Sequence, residues 1–194
     1  MKHLLIGALL ASAIAVPATA ALKSGDKAPD FATKASLAGK EFNFSLKDAL
    51  KKGPVVVYFY PAAYTRGCNL EAHTFAEAKD KFDAAGTTII GVSRDSIQKL
   101  NDFSADPEYC AGKFPVASDA DGAITKAFNL NTMSLDRKVT DTRGAEVTTA
   151  LTERTTFVIT PDSKVIATLS SADDKINPAD HVEKSLAIVQ GLKK

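Results

Sequence analysis

The chain predicts an α/β domain with a mixed central β-sheet flanked by α-helices, and three observations carry that prediction. The β-branched apolar runs Val55–Tyr60 and Thr88–Ser93 alternate with segments of helical periodicity. The turn signal Pro161-Asp162-Ser163 separates two further strand-like runs, 156–160 and 165–169. An amphipathic segment over 179–192 closes the chain.

Taken in order, residues 1–20 read as an export leader. Met1-Lys2-His3 is a short basic start, 4–16 is apolar and small, and Ala18-Thr19-Ala20 is a small-residue cleavage site. The apolar stretch is shorter than the ~20 residues that span a bilayer, and no later segment is longer and equally apolar. The expected mature protein is a single domain, 21–194, delivered to the periplasm and not held in the membrane. No cysteine follows the cleavage site, which argues against lipid attachment.

Within that domain, 21–34 is polar and punctuated by Gly25, Pro29 and Asp30. Phe42–Phe44 predicts a short strand, and Ser45 caps a brief helix through Lys52. The strand 55–60 leads into a helix over 68–84, where Leu70, Thr74, Phe75, Ala78 and Phe82 recur at three to four residues. After the strand 88–93, Asp95-Ser96 caps a helix carrying Ile97, Leu100 and Phe103. A strand over 114–118 and a helix over 122–128 come next. Segment 130–153, polar and rich in Thr and Val, predicts a hairpin turning at Arg143-Gly144.

Composition narrows the function. The chain has 24 basic and 23 acidic residues, and loss of Lys2 with the leader balances them. With no Lys/Arg cluster beyond short pairs, no nucleic-acid footprint is expected. Two cysteines and three histidines, one of them in the leader, are too few and too scattered for a zinc site. Asp119-Ala120-Asp121-Gly122 begins like a calcium loop but lacks the later ligands, so it reads as a turn and helix cap. Cys68 and Cys110 would both enter an oxidising compartment, where a disulfide persists.

Cys68 is the candidate nucleophile. It ends Pro61-Ala62-Ala63-Tyr64-Thr65-Arg66-Gly67-Cys68, between a buried-strand pattern and a helix start. The unpaired N–H groups and dipole of a helix N-terminus favour thiolate over thiol there. The bland reading, a buried inert cysteine, does not account for that position. Thr65 is either a hydroxyl that reaches the sulfur or a substrate oxygen, or a plain helix cap. Pro61 either shields the thiolate or merely ends the strand. Glu71, three residues on, shares the Cys68 face and would oppose a thiolate unless a cation engaged it. Arg154, just before a strand, is one candidate for that cation. For both, a solvated surface charge is the alternative. His73 points away from Cys68 around the helix and reads as a surface or core histidine. Cys110, in a loop-like stretch after a helix, is a disulfide partner of Cys68, a thiol that pairs only during turnover, or unpaired.

Pro61-x-x-x-Thr65-x-x-Cys68 resembles the active-site motif of the peroxiredoxins. The flanking Val-Tyr-Phe-Tyr-Pro and Glu-Ala are similar to the Q-type branch, the bacterioferritin comigratory proteins. Matches continue through Gly25-Asp26-Lys27-Ala28-Pro29-Asp30-Phe31, Ile90-Gly91-Val92-Ser93, 114–119 and 154–159, together spanning about residues 22–169. The resemblance implies a thioredoxin-like fold and a thiol peroxidase that needs no cofactor or metal. It implies Cys68 as peroxidatic cysteine, Thr65 as the hydroxyl that orients the peroxide, and Pro61 as the pocket cover. Arg154 then holds the thiolate and polarises the O–O bond, and Glu71 orients the arginine. Many Q-type members carry a resolving cysteine where this chain has His73. Cys110 instead resembles an alternative arrangement, resolving near the third helix. Segment 130–153 is longer than is usual for the family.

The resemblance therefore implies peroxide reduction, a Cys68–Cys110 disulfide and recycling by an external dithiol, in a chain expected to be a monomer. Two other readings stand beside it. One is a periplasmic thiol-disulfide oxidoreductase, although position 71 is Glu where a Cys-x-x-Cys motif needs cysteine. The other is a non-enzymatic thioredoxin-fold module stapled by a Cys68–Cys110 disulfide.

Overall fold

The computed structural model describes residues 20–192. All but the last residue of the expected leader, and residues 193–194, lie outside the described residues. The elements are β1 (Ala32–Leu37), β2 (Lys40–Ser45), α1 (Leu46–Leu50), β3 (Val55–Phe59), α2 (Arg66–Ala84), β4 (Thr88–Ser93) and α3 (Ile97–Ala105). They continue with β5 (Val116–Ser118), α4 (Ala123–Ala127), β6 (Thr132–Met133), β7 (Leu151–Thr152), β8 (Thr155–Ile159), β9 (Val165–Ser170) and α5 (Pro178–Gly191).

A seven-stranded mixed sheet runs in the order β2-β1-β5-β4-β3-β8-β9. Central β3 lies parallel to β4 and antiparallel to β8. All five of its residues are buried because both faces are covered. Val56 and Tyr58 join Phe75 and Phe82 of α2 and Val182 and Val189 of α5 in one cluster. Val55, Val57 and Phe59 point the other way, to Leu46, Leu50, Ile124 and Phe128. This period of two, with both faces covered, explains why the run carries no charged residue.

Local chemistry sets the ends of the helices. Ser45 Oγ accepts from the Asp48 N–H and Ser96 Oγ from the Lys99 N–H. Asn177 and Asp180 form a capping box with Pro178 at the first helical position. The Asp119 carboxylate accepts from the Ile124 and Thr125 N–H groups and so caps α4, as the turn-and-cap reading expects.

Strand β1 is absent from the sequence-based expectation. It pairs with β2 along its full length, from Ala32↔Ser45 to Leu37↔Lys40, through an Ala38-Gly39 turn with both φ positive. Its buried face includes Ser36, whose hydroxyl pairs with that of Ser104 at 2.9 Å, so it shows little hydrophobic alternation. In the 130–153 segment the expected turn forms: Gly144 has φ +80°, and Asp141 N–H donates to the Ala145 carbonyl. The β6/β7 pairing closes the base of this long hairpin.

Candidate active site

The site begins where β3 ends at the sheet's carboxyl edge. Pro61 is half-buried and ends the strand, and Ala62, Ala63 and Tyr64 are buried. The Ala63 N–H donates to the buried Asp95 carboxylate at 2.7 Å. Asp95 also accepts from Ser93 Oγ and pairs with Lys99. Capping of α3 falls to Ser96 alone, and Asp95 instead tethers the Cys68 turn. Tyr64 adopts φ +65°, a left-handed backbone rare for an aromatic residue. That reversal turns the chain into α2.

Thr65 is the N-cap of α2 by backbone, yet its side chain makes no capping bond. Its hydroxyl donates to the Ala62 carbonyl at 2.8 Å. The proton is thereby committed, and the oxygen lone pairs remain to accept from another donor. The helix starts at Arg66, two residues earlier than the sequence periodicity predicts. Cys68 therefore lies in the first turn, before the opening intrahelical bond from Asn69 N–H to the Thr65 carbonyl. This is the most positive part of the helix field.

Arg154, on the short link between β7 and β8, reaches the same point. Its Nη2 donates to Cys68 Sγ at 3.2 Å, and its Nη1 donates to Glu71 Oε2. Glu71 is fully buried and Arg154 nearly so. Burial pushes the Glu71 carboxyl up to about 7 against the pull of Arg154. Burial works against the Arg154 charge, but Glu71 and Cys68 outweigh it and raise the arginine's pKa. The guanidinium is a permanent cation clamped between a carboxylate and a sulfur. Gly67 leaves room for it, since Arg154 Nη2 occupies the space beside its Cα.

His181 of α5 lies next to the backbone that carries Arg154, bonded to Thr156 and Ser171. It is fully buried, with Nδ1 2.9 Å from Thr156 Oγ1 and Nε2 2.9 Å from Ser171 Oγ. The Ser171 N–H donates to the Arg154 carbonyl. Burial, then Arg154, lowers the His181 pKa to about 4, so the ring is neutral near pH 7. The sequence offered no signal for this beyond a histidine at an amphipathic helix start.

Cys110 sits past α3 in a tight turn with positive φ at Ala111 and Gly112. It belongs to the same buried cluster as Cys68, and both are free thiols. Burial, then Asp106, holds the Cys110 thiol well above its ordinary pKa. His73 is exposed on α2, where its Nδ1 lies 2.9 Å from the Glu108 carbonyl of the Cys110 turn. The fold thus gathers Pro61, Thr65, Cys68, Glu71 and Arg154 at one point, with Cys110 free nearby in the shared core. Among the described residues, no cluster of three or more His, Cys, Asp or Glu side chains could hold a metal ion.

A thioredoxin-like fold presenting a cysteine at a helix N-terminus against a buried arginine defines a thiol-based redox protein. Comparison with known proteins supplies the family. A model of the AhpC/TSA family matches residues 24–168. Peroxiredoxin Bcp of Xanthomonas campestris is 34% identical over 136 residues, 70% of this chain and 76% of its own. The crystal structure of peroxidoxin BcpB from Mycobacterium tuberculosis superposes with a TM-score of 0.73 at 30% identity, covering 89% of this chain and 99% of that one. A structure of the Xanthomonas campestris bacterioferritin comigratory protein, described with its alkyl peroxide reduction activity, has a TM-score of 0.64 at 30% identity, covering 83% and 92%. The chain belongs to the AhpC/TSA family of peroxiredoxins and is a thiol-dependent peroxidase.

Proposed function

We propose that Cys68 is the peroxidatic cysteine of a two-cysteine cycle whose second thiol is Cys110. The observation that carries the peroxidatic role of Cys68 is the Arg154 bridge, one guanidinium bonding Cys68 Sγ and buried Glu71 at once, and Cys110 enters as the other free thiol of the same buried cluster. The Cys68 thiolate attacks the terminal oxygen of a hydroperoxide. The O–O bond breaks, Cys68 becomes the sulfenic acid, and the alkoxide or hydroxide leaves and takes up a proton. The Thr65 oxygen, its own proton held by Ala62, accepts from the peroxide O–H and fixes its direction. Arg154 stabilises the charge that develops as the bond lengthens, and Pro61 limits water at the mouth. Cys110 then condenses with the sulfenic acid, releasing water and forming the disulfide. An external dithiol reduces that disulfide and is itself oxidised.

Hydrogen peroxide and alkyl hydroperoxides fit this chemistry, since neither needs more than an O–O bond and one O–H. The leader reading places the cycle in the periplasm, supported by the Ala18-Thr19-Ala20 cleavage pattern.

The test is stopped-flow mixing of reduced protein from the periplasmic fraction, its N-terminus first checked to be Ala21, with stoichiometric peroxide and then thiol counting. Wild type is expected to lose both thiols without intermolecular crosslinks. Cys68→Ser is expected to lose neither, and Cys110→Ser to turn over once and stop. Multiple turnovers by Cys110→Ser with a dithiol would remove Cys110 from the cycle. A Cys68 indifferent to peroxide would remove the whole reading.

A further inference from the structure

We propose that the tip of the 130–153 hairpin is part of the peroxide site, with Thr142 and Arg143 as positioning residues for Thr65; this rests on the peroxidatic reading of Cys68. The hairpin is otherwise unexplained by the peroxidase chemistry. Its tip lies on the one peptide that links the left-handed Tyr64 to Thr65.

The contacts converge on that peptide. The Tyr64 carbonyl accepts twice from one residue, from the Thr142 N–H at 2.9 Å and from Thr142 Oγ1 at 2.8 Å. Thr142 Oγ1 in turn accepts from Asn69 Nδ2 at 3.2 Å, and Asn69 follows Cys68 in the first turn of α2. One hydroxyl therefore ties the turn before the cysteine to the helix after it. On the side-chain side, the Arg143 guanidinium carbon lies 3.3 Å from the Tyr64 ring centroid. The Tyr64 ring also meets Phe103 and Tyr109 edge-on, so it is held from several directions.

The tip is itself closed by hydrogen bonds within the turn. Buried Asp141 accepts from the Arg143 and Ala145 N–H groups and from Arg143 Nη2 at 3.2 Å. Burial works against its charge, but those bonds outweigh it and hold the carboxyl below the usual range. Thr142 and Arg143 are thus presented from a closed turn and not from a loose strand end.

Peptide planarity carries the effect to the site. The Tyr64 carbonyl and the Thr65 N–H belong to one plane, so fixing the carbonyl fixes the Thr65 N–Cα bond about which the Thr65 side chain is set. A positive φ at an aromatic residue persists only where its surroundings enforce it. The Thr142 bonds and the Arg143 stack supply that enforcement. Without them Tyr64 relaxes towards negative φ, the 64–65 peptide rotates, and the Thr65 oxygen leaves the line along which a peroxide approaches Cys68. Arg154, on the link before β8, and Glu71, on α2, bond each other and not the 64–65 peptide, so the Arg154 contact to Cys68 does not run through that rotation.

The test separates positioning from folding and from thiolate formation. The oxidation rate of Cys68 by hydrogen peroxide is measured by stopped flow in wild type, Thr142→Val, Thr142→Ser and Arg143→Gln. Each is also alkylated with iodoacetamide, which needs the thiolate but not the Thr65 oxygen. The Thr142→Val rate with peroxide is expected to fall roughly tenfold, as misplacement of one orienting group does. Thr142→Ser restores it to within about twofold, Arg143→Gln is intermediate, and alkylation changes by less than about twofold throughout, as expected where thiolate formation is untouched. Wild-type peroxide rates in both Thr142→Val and Arg143→Gln overturn the proposal, as does a parallel fall in alkylation. A wild-type Cys68 that ignores peroxide overturns the parent reading and this one together, and so is told apart from failure of the hairpin alone.

Discussion

Gly67 lies directly against the Arg154 guanidinium: a Cβ at position 67 would stand 3.2 Å from Nη2, the nitrogen that donates to Cys68 Sγ. The glycine is helical and has no positive φ to satisfy, so its absence of a side chain serves the arginine and not the backbone. Local propensity and the site therefore pull in opposite directions at this residue.

That opposition yields a prediction. Gly67→Ala gains about 0.5–1 kcal/mol of helix propensity. The new methyl requires the Arg154 guanidinium to give by a few tenths of an ångström, and the expected movement is away from Cys68. Thermal unfolding is expected to be unchanged or slightly raised, while peroxidase rate falls roughly tenfold through the weakened electrostatic contact. A variant that is both stable and fully active would show that the sulfur–guanidinium contact is not needed.

Two buried titratable groups flank Arg154 and work in opposite senses with pH. Glu71 has its folded pKa raised to about 7, so its contribution is present below the unfolded value and is lost as pH rises through about 7. His181 has its folded pKa lowered to about 4, so its contribution is present above about 6.5 and is lost as pH falls through about 4. Between those limits the slopes offset, and wild-type stability is expected to be nearly flat. Glu71→Gln leaves the His181 slope, with stability rising by up to about 3 kcal/mol from pH 4 to 6.5. His181→Asn leaves a slope of the other sign. Denaturant melts across pH 4–8 check this, and parallel curves for all three proteins would refute it.

The Cys110 turn is clipped to the helix that carries Cys68. His73 Nδ1 bonds the Glu108 carbonyl at 2.9 Å, and Lys113 Nζ donates to the Ala76 carbonyl at 3.0 Å. Cys110 is fully buried, and under the proposed two-cysteine cycle these two bonds would have to break for its turn to move towards Cys68. His73→Ala and Lys113→Ala are each expected to speed the disulfide step roughly threefold to tenfold, the worth of one modest hydrogen bond. The initial reaction of Cys68 with peroxide is expected to be unaffected. Unchanged disulfide rates in both variants would show that opening is controlled elsewhere.

How much of this was readable in advance differs by element. The both-faces-buried run 55–59, the caps at Ser45 and Ser96 and the 143–144 turn declare themselves locally, because periodicity and capping act within a few residues. Strand β1 does not, since its buried Ser36 is satisfied by Ser104, far along the chain. Asp95 was legible only as a cap, and its bond to Ala63 needs β3 and β4 side by side.

The amino-acid sequence by itself determined the α/β class and a reactive-looking cysteine at a helix start, while the kind of chemistry was implied by the family resemblance that Pro61-x-x-x-Thr65-x-x-Cys68 carries. These are properties of neighbouring residues and of backbone preferences. The tertiary structure supplied the Arg154–Cys68 bond that the resemblance had implied, and it alone placed His181 between Thr156 and Ser171 and set Thr142 on the Tyr64 carbonyl. Those partners lie on other elements of the chain. They meet because sheet order and helix packing bring them together, and their contacts are made by distance and direction in space, on which local sequence has no hold.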